Sequence, residues 1–147
     1  MKTRSFAIPR FSLFFALAIA LSSLSIGLSS CSAAYDAVGA SNLTELTNTL
    51  PNLMSKGIGN FSDHRGDVAK CKEMLTNAIT QASTIKNNKQ TISALKALND
   101  DVVLPFFTLW EEKGKLSGPA VDAAVENTRK SLESLAKIDK SKKGAPK

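Results

Sequence analysis

The chain has 147 residues, of which 43% are hydrophobic and only 6% aromatic, with a formal net charge of +6; that length suits one domain on the usual scale of roughly 100 to 200 residues. The charge sits at the two ends, because Lys2, Arg4 and Arg10 take three of the 19 basic residues and residues 137–147 hold five lysines against Asp139 alone, leaving 11 bases and 12 acids over residues 31–136. A near-neutral body excludes a nucleic-acid-binding domain, which builds a basic face into the fold itself.

The first element in chain order is a targeting segment. After the charged start, residues 11–28 form an apolar stretch interrupted only by small Ser and Gly residues, the pattern of a signal peptide that takes no part in the mature fold. Leu28-Ser29-Ser30-Cys31 closes it. These four residues resemble the lipobox of bacterial lipoproteins, with Leu at the third place before Cys and two small residues between. The resemblance implies that residues 1–30 are a cleaved lipoprotein signal peptide and that the Cys31 thiol carries a diacylglycerol. It also implies that the new amine accepts a further fatty chain such as palmitate, and that residues 31–40 are the acylated cysteine and a linker. Ser32 stands where an Asp retains lipoproteins in the inner membrane of enteric bacteria, so the resemblance further implies the outer membrane if the cell is Gram-negative. Two or more acyl chains give stable anchoring where one gives only marginal binding. From the residues alone two other readings stay open. Residues 11–28 are close to the roughly 20 apolar residues of a retained membrane span, and a cut after Ser32 would release a soluble secreted protein.

Residues 41–138 carry helical periodicity, with no alternating β-branched run to compete with it. Asn42 and Glu45 have the spacing of a capping box, and Leu43, Leu46, Leu50, Leu53 and Met54 mark one face of the helix that follows. Pro51 predicts a kink or split there, and Gly57, Gly59 and Asn60 predict its end. A second helix is expected after a Ser62-Asp63 cap, with Val68, Cys71, Leu75, Ala78, Ile79, Ala82 and Ile85 as its stripe. Asn87-Asn88 reads as a turn. The third helix presents Ile92, Leu95, Leu98 and Val102 before a kink or fresh start at Pro105, and then Phe106, Phe107, Leu109 and Trp110 up to Gly114. Ser117-Gly118-Pro119 opens the fourth, whose stripe is Val121, Ala124, Val125, Thr128, Leu132, Leu135 and Ile138. Early Asp122 and Glu126, with later Arg129, Lys130 and Lys137, suit its dipole. Four such segments joined by short connections predict an all-α, antiparallel up-and-down four-helix bundle. From Asp139 the apolar positions stop, so residues 139–147 are expected to be a basic flexible tail.

The mature chain offers little chemistry. Cys71 lies on an apolar stripe and reads as a buried, inert thiol. His64 stands among charged residues and reads as a surface histidine. Asp100-Asp101 and Glu111-Glu112 are sequence neighbours, which diverge around a helix and do not make a facing carboxylate pair. No Cys-x-x-Cys-His haem attachment occurs, and neither a cofactor nor a metal site is expected. Phe106, Phe107 and Trp110 cluster within about one turn; they are either a core plug, the default for such a cluster, or a candidate contact for a partner or apolar ligand. The closing Lys147 resembles, in that single residue, the murein lipoproteins of enteric bacteria, whose final lysine joins peptidoglycan; the lack of a strict heptad repeat and the Ala145-Pro146 pair depart from that pattern.

The expected function is therefore a lipid-anchored cell-envelope lipoprotein, not an enzyme, acting as a binding or structural module. It would sit on the membrane through acylated Cys31 and meet an envelope protein or cell-wall polymer. The alternative is a lipid-anchored carrier holding a small apolar ligand between the helices near Phe106 and Trp110.

Overall fold

The computed structural model describes residues 33–146, and these form an all-α domain. Helix α1 is Ala37–Ser55, α2 is Arg65–Thr84, α3 is Lys89–Ala97, α4 is Leu104–Lys113 and α5 is Gly118–Lys140. A six-residue π-helical turn, Leu98–Val103, joins α3 to α4 without leaving helical backbone, so residues 89–113 act as one helical segment and the domain has four. Helix α1 packs against α2 and α5, α2 also against α3, and α3 against α5. The four segments thus share one core, in which Leu46, Leu50, Leu75, Leu98, Phe107, Trp110 and Leu132 are fully buried.

The buried positions advance by three and four residues, as a single helical face requires: Leu46, Leu50 and Leu53 on α1; Val68, Cys71, Leu75, Ala78 and Ala82 on α2; Val121, Val125, Thr128, Leu132, Leu135 and Asp139 on α5. Thr128 is the polar member of the α5 stripe. Its hydroxyl donates to the Ala124 carbonyl at 2.8 Å and lies 3.2 Å from Met54 Sδ. That back-bond lets a hydroxyl sit in a core without an unpaired proton.

Pro105 explains the π turn. A proline in regular α-helix clashes with the carbonyl four residues back and has no N–H to offer it. Here the turn just ahead widens, and the Leu104 N–H bonds the Asn99 carbonyl five residues back. One extra residue in that turn re-phases the stripe. Leu98 is followed in the core by Val103, and Val102 is left half-buried. Proline therefore re-registers the helix at 105 instead of breaking it, and Pro51 is likewise accommodated inside α1, which runs on to Ser55.

Three expected boundaries differ. Helix α1 begins at Ala37, not near Asn42, because Asp36 caps it. Ser62 and Asp63 lie within a 3₁₀ turn, Phe61–His64, and α2 starts only at Arg65. Within the expected 139–147 tail, residues 139–143 pack on the domain. Helix α5 continues to Lys140 with Asp139 on its buried stripe, and Lys142, in the turn that follows, is buried beside it.

Candidate functional site

The lipobox residues Leu28, Ser29 and Ser30 and the lipidation candidate Cys31 lie outside the described residues. The described chain begins two residues later, and its first residues are already part of the fold. Ala33 is buried. Its carbonyl accepts from the Lys143 N–H at 3.1 Å, and the Lys143 carbonyl accepts from the Tyr35 N–H at 2.9 Å, so residues 33–35 and the turn after α5 form a short parallel bridge.

Asp36 then turns the chain into α1. Its carboxylate accepts from the Val38 N–H at 3.1 Å and the Gly39 N–H at 3.0 Å, which supplies partners for two of the amides a helix start leaves open. Gln81, near the end of α2, donates to the same carboxylate at 3.0 Å. A Cβ at residue 39 would stand 2.8 Å from Asp36 Oδ2, so only glycine lets the carboxylate lie this close over the helix end. Beside it, Lys142 Nζ lies 2.8 Å from Asp139 Oδ1 with both side chains nearly buried. Asn88, where α3 begins, donates from Nδ2 to the Ala82 carbonyl at 2.9 Å. The start of α1, the end of α2, the start of α3 and the end of α5 thus meet around one small cavity of about 20 Å³, whose lining mixes polar and apolar side chains. It is lined by Asp36, Asn88, Thr91, Asp139 and Lys142 among others, and its volume is about that of one water molecule. Asn88 Oδ1 and Thr91 Oγ1 have no hydrogen-bond partner among the described residues.

The aromatic trio lies in the core. Phe106 is 7% exposed, and Phe107 and Trp110 are fully buried. The rings of Phe61, Phe106 and Phe107 stand 5.5 to 6.4 Å from Trp110. Trp110 Nε1 donates to the Gly59 carbonyl at 3.0 Å, which fastens α4 to the connection between α1 and α2. Two backbone bonds reinforce the junction, Phe61 N–H to the Gly114 carbonyl at 2.8 Å and Leu116 N–H to the Gly57 carbonyl at 2.9 Å. Of the two readings of these aromatics, their burial fits the default, a core plug, and not the candidate partner or ligand contact: their surfaces are spent on one another and on the core.

The larger cavity, an open groove of about 370 Å³, is lined by Glu45, Asn48, Asn52, Lys56, Asp67 and Lys70 with Leu53, Cys71 and Met74 at its floor. It is more polar than the apolar clefts that take small hydrophobic ligands, and neither Phe106 nor Trp110 lines it. Burial pushes the Cys71 thiol up from 9.0 to about 11, so it stays protonated and a poor nucleophile at neutral pH. His64 packs on Trp110 with ring centroids 5.6 Å apart and has Nδ1 3.6 Å from Asp67 Oδ2. Among the described residues no three His, Cys, Asp or Glu side chains gather as a metal set, and no helix is long and apolar enough to cross a membrane. Exposed large hydrophobics are scattered, at Val38, Ile58, Leu104 and Leu109.

Comparison with known proteins gives no match to a family model, to a curated protein or to a solved structure.

Sequence reasoning missed the polar cluster around Asp36, Asp139 and Lys142. A signal was present: continuing the α5 stripe of Leu132 and Leu135 by four and then three residues lands on Asp139 and Lys142.

Proposed function

We propose that this is a bacterial cell-envelope lipoprotein, held in the membrane by acyl chains on Cys31, whose helical body works by contact and not by turnover. The observation that carries the reading is the Leu28-Ser29-Ser30-Cys31 lipobox after a charged, then apolar leader. We read the four segments as an up-and-down antiparallel bundle, supported by their short connections and by the gathering of alternate helix ends around the Asp36 cap. A non-enzymatic role is supported by the protonated, buried thiol of Cys71 and by the packing of His64 on Trp110. The lipobox resemblance, with Ser32 where inner-membrane lipoproteins of enteric bacteria carry Asp, supports an outer-membrane position if the cell is Gram-negative.

Expression with the native leader tests the reading. Intact mass should show a chain starting at Cys31 with diacylglycerol and a further acyl chain, partitioning into detergent. The Cys31→Ala chain should lose the added mass. A mature chain that starts elsewhere, without acyl mass, overturns the proposal.

A further inference from the structure

The Asp36 cap and the Ala33–Lys143 bridge fix which end of the domain adjoins residue 31. Two residues span at most about 7 Å, so the Cα of Cys31 stays within that distance of Ala33 whatever path the chain takes. The same end of the domain carries the α2–α3 turn and the end of α5, and with them Lys86, Lys89, Lys140 and Lys143, all exposed. Lys137 is exposed one turn earlier on α5. The acids at this end are already engaged: Asp36 is taken up by two amides and Gln81, and Asp139 by Lys142. None of the four forms an ion pair among the described residues, as is also true of the exposed Lys70, Lys96, Lys113 and Lys115 elsewhere on the domain. Val38, in the first turn of α1, adds an exposed apolar side chain at the same end.

Unpaired lysines at the end of the domain that adjoins a membrane anchor face an anionic surface, whose field acts over about 8 Å at physiological ionic strength. Each lysine near such a surface favours binding by about 1 kcal/mol, or roughly fivefold. We infer that this end of the domain is a lipid-facing surface, which seats Lys86, Lys89, Lys140 and Lys143 on the phosphates of anionic phospholipid and stands the helices away from the bilayer. The inference rests on the anchoring proposed for Cys31, and it adds an orientation that acylation alone does not set.

The test uses the purified acylated protein reconstituted in phosphatidylcholine vesicles, with or without about one third phosphatidylglycerol. Amine acetylation at each lysine is followed by peptide mass spectrometry. In anionic vesicles, modification of Lys86, Lys89, Lys140 and Lys143 should slow at least fivefold relative to Lys70, Lys113 and Lys115. The protection should disappear in neutral vesicles and in 0.5 M salt. A variant carrying K86E, K89E, K140E and K143E, with helicity checked by circular dichroism, should lose it too. Equal rates in both vesicle types overturn the inference, and so does protection that appears only on adding purified peptidoglycan, which would assign the face to the wall. Flotation with neutral vesicles reads the acyl anchor separately. A chain that carries no acyl mass fails that step, and its flotation with anionic vesicles alone then decides the lysine surface, supporting it if present and overturning it if absent.

Discussion

Gly57 sits buried at the junction between α1 and α2, and a Cβ placed there would meet Phe106 Cζ at 2.8 Å and Val121 Cγ2 at 3.1 Å. Ordinary carbon contacts lie near 3.5 to 4.0 Å, so Gly57→Ala demands a shift of about half an ångström or more. The Phe106 ring is poorly placed to yield, since Phe107 and Trp110 pack against it at 5.7 and 6.1 Å between centroids. Overpacking of this kind costs about 1 to 3 kcal/mol. The loss of glycine's freedom in the unfolded chain returns about 0.4 to 1 kcal/mol, which at the mid-points of the two ranges leaves a net destabilisation of about 1.3 kcal/mol. For a domain of this size that lowers the melting temperature by roughly 5 to 10 °C. Urea unfolding, read by Trp110 fluorescence and by far-ultraviolet circular dichroism, measures it. Phe106→Leu removes the Cζ atom, so the double variant should be more stable than the sum of the single changes by about 1 kcal/mol. Additivity within a few tenths of a kcal/mol, or a Gly57→Ala domain as stable as the parent, would show that the ring does not press on this glycine and that the packing argument is wrong.

Three further outcomes follow from the polar end and the buried thiol. Lys142→Ala should destabilise the domain by about 3 kcal/mol in urea, because it strands the nearly buried Asp139 carboxylate, whereas Asp139→Leu with Lys142→Met should restore most of the loss; equal stability of parent and Lys142→Ala would mean that the segment after α5 is not docked. Asp36→Ala should cost about 1 to 2 kcal/mol and speed amide hydrogen exchange at Val38 and Gly39, the two groups it caps; unchanged exchange there would remove the cap. For Cys71 the folded thiol titrates near 11, above its ordinary 9.0, so the folded state holds the proton longer. The stabilisation is complete below pH 9 and is lost as pH rises towards 11, to a total of about 3 kcal/mol. The stability difference between the parent and Cys71→Ala should therefore shrink between pH 8 and pH 10.5, and a difference independent of pH would refute it.

The four helical segments were legible because their apolar residues recur at helical spacing, and α2 shows this best: Val68, Cys71, Leu75, Ala78 and Ala82 were all read from the pattern and all are buried. Val103 was not legible, because a strict 3.6-residue period points to Val102 and only the proline two residues on shifts the phase. Asp139 and Lys142 were misread as tail since polar residues on a stripe look like its end, when the pair neutralises itself in place. Asp36 was missed as a cap because the residues after it, Ala37 to Ala40, carry little apolar signal, and the glycine that makes room for the carboxylate reads as a loop residue. The aromatic cluster was found by spacing, but its inward packing depends on the backbone carbonyl of Gly59 and on Phe61, both more than 45 residues away in sequence.

The bridge between residues 33–35 and Lys143 has a mechanical consequence. A pull transmitted through the chain ahead of Ala33 does not fall on α1 alone, because its first point of attachment is a pair of backbone bonds to the turn that ends α5. Helices α1 and α5 are then loaded side by side instead of one after the other, and the load reaches the longest helix of the domain before it can peel the first.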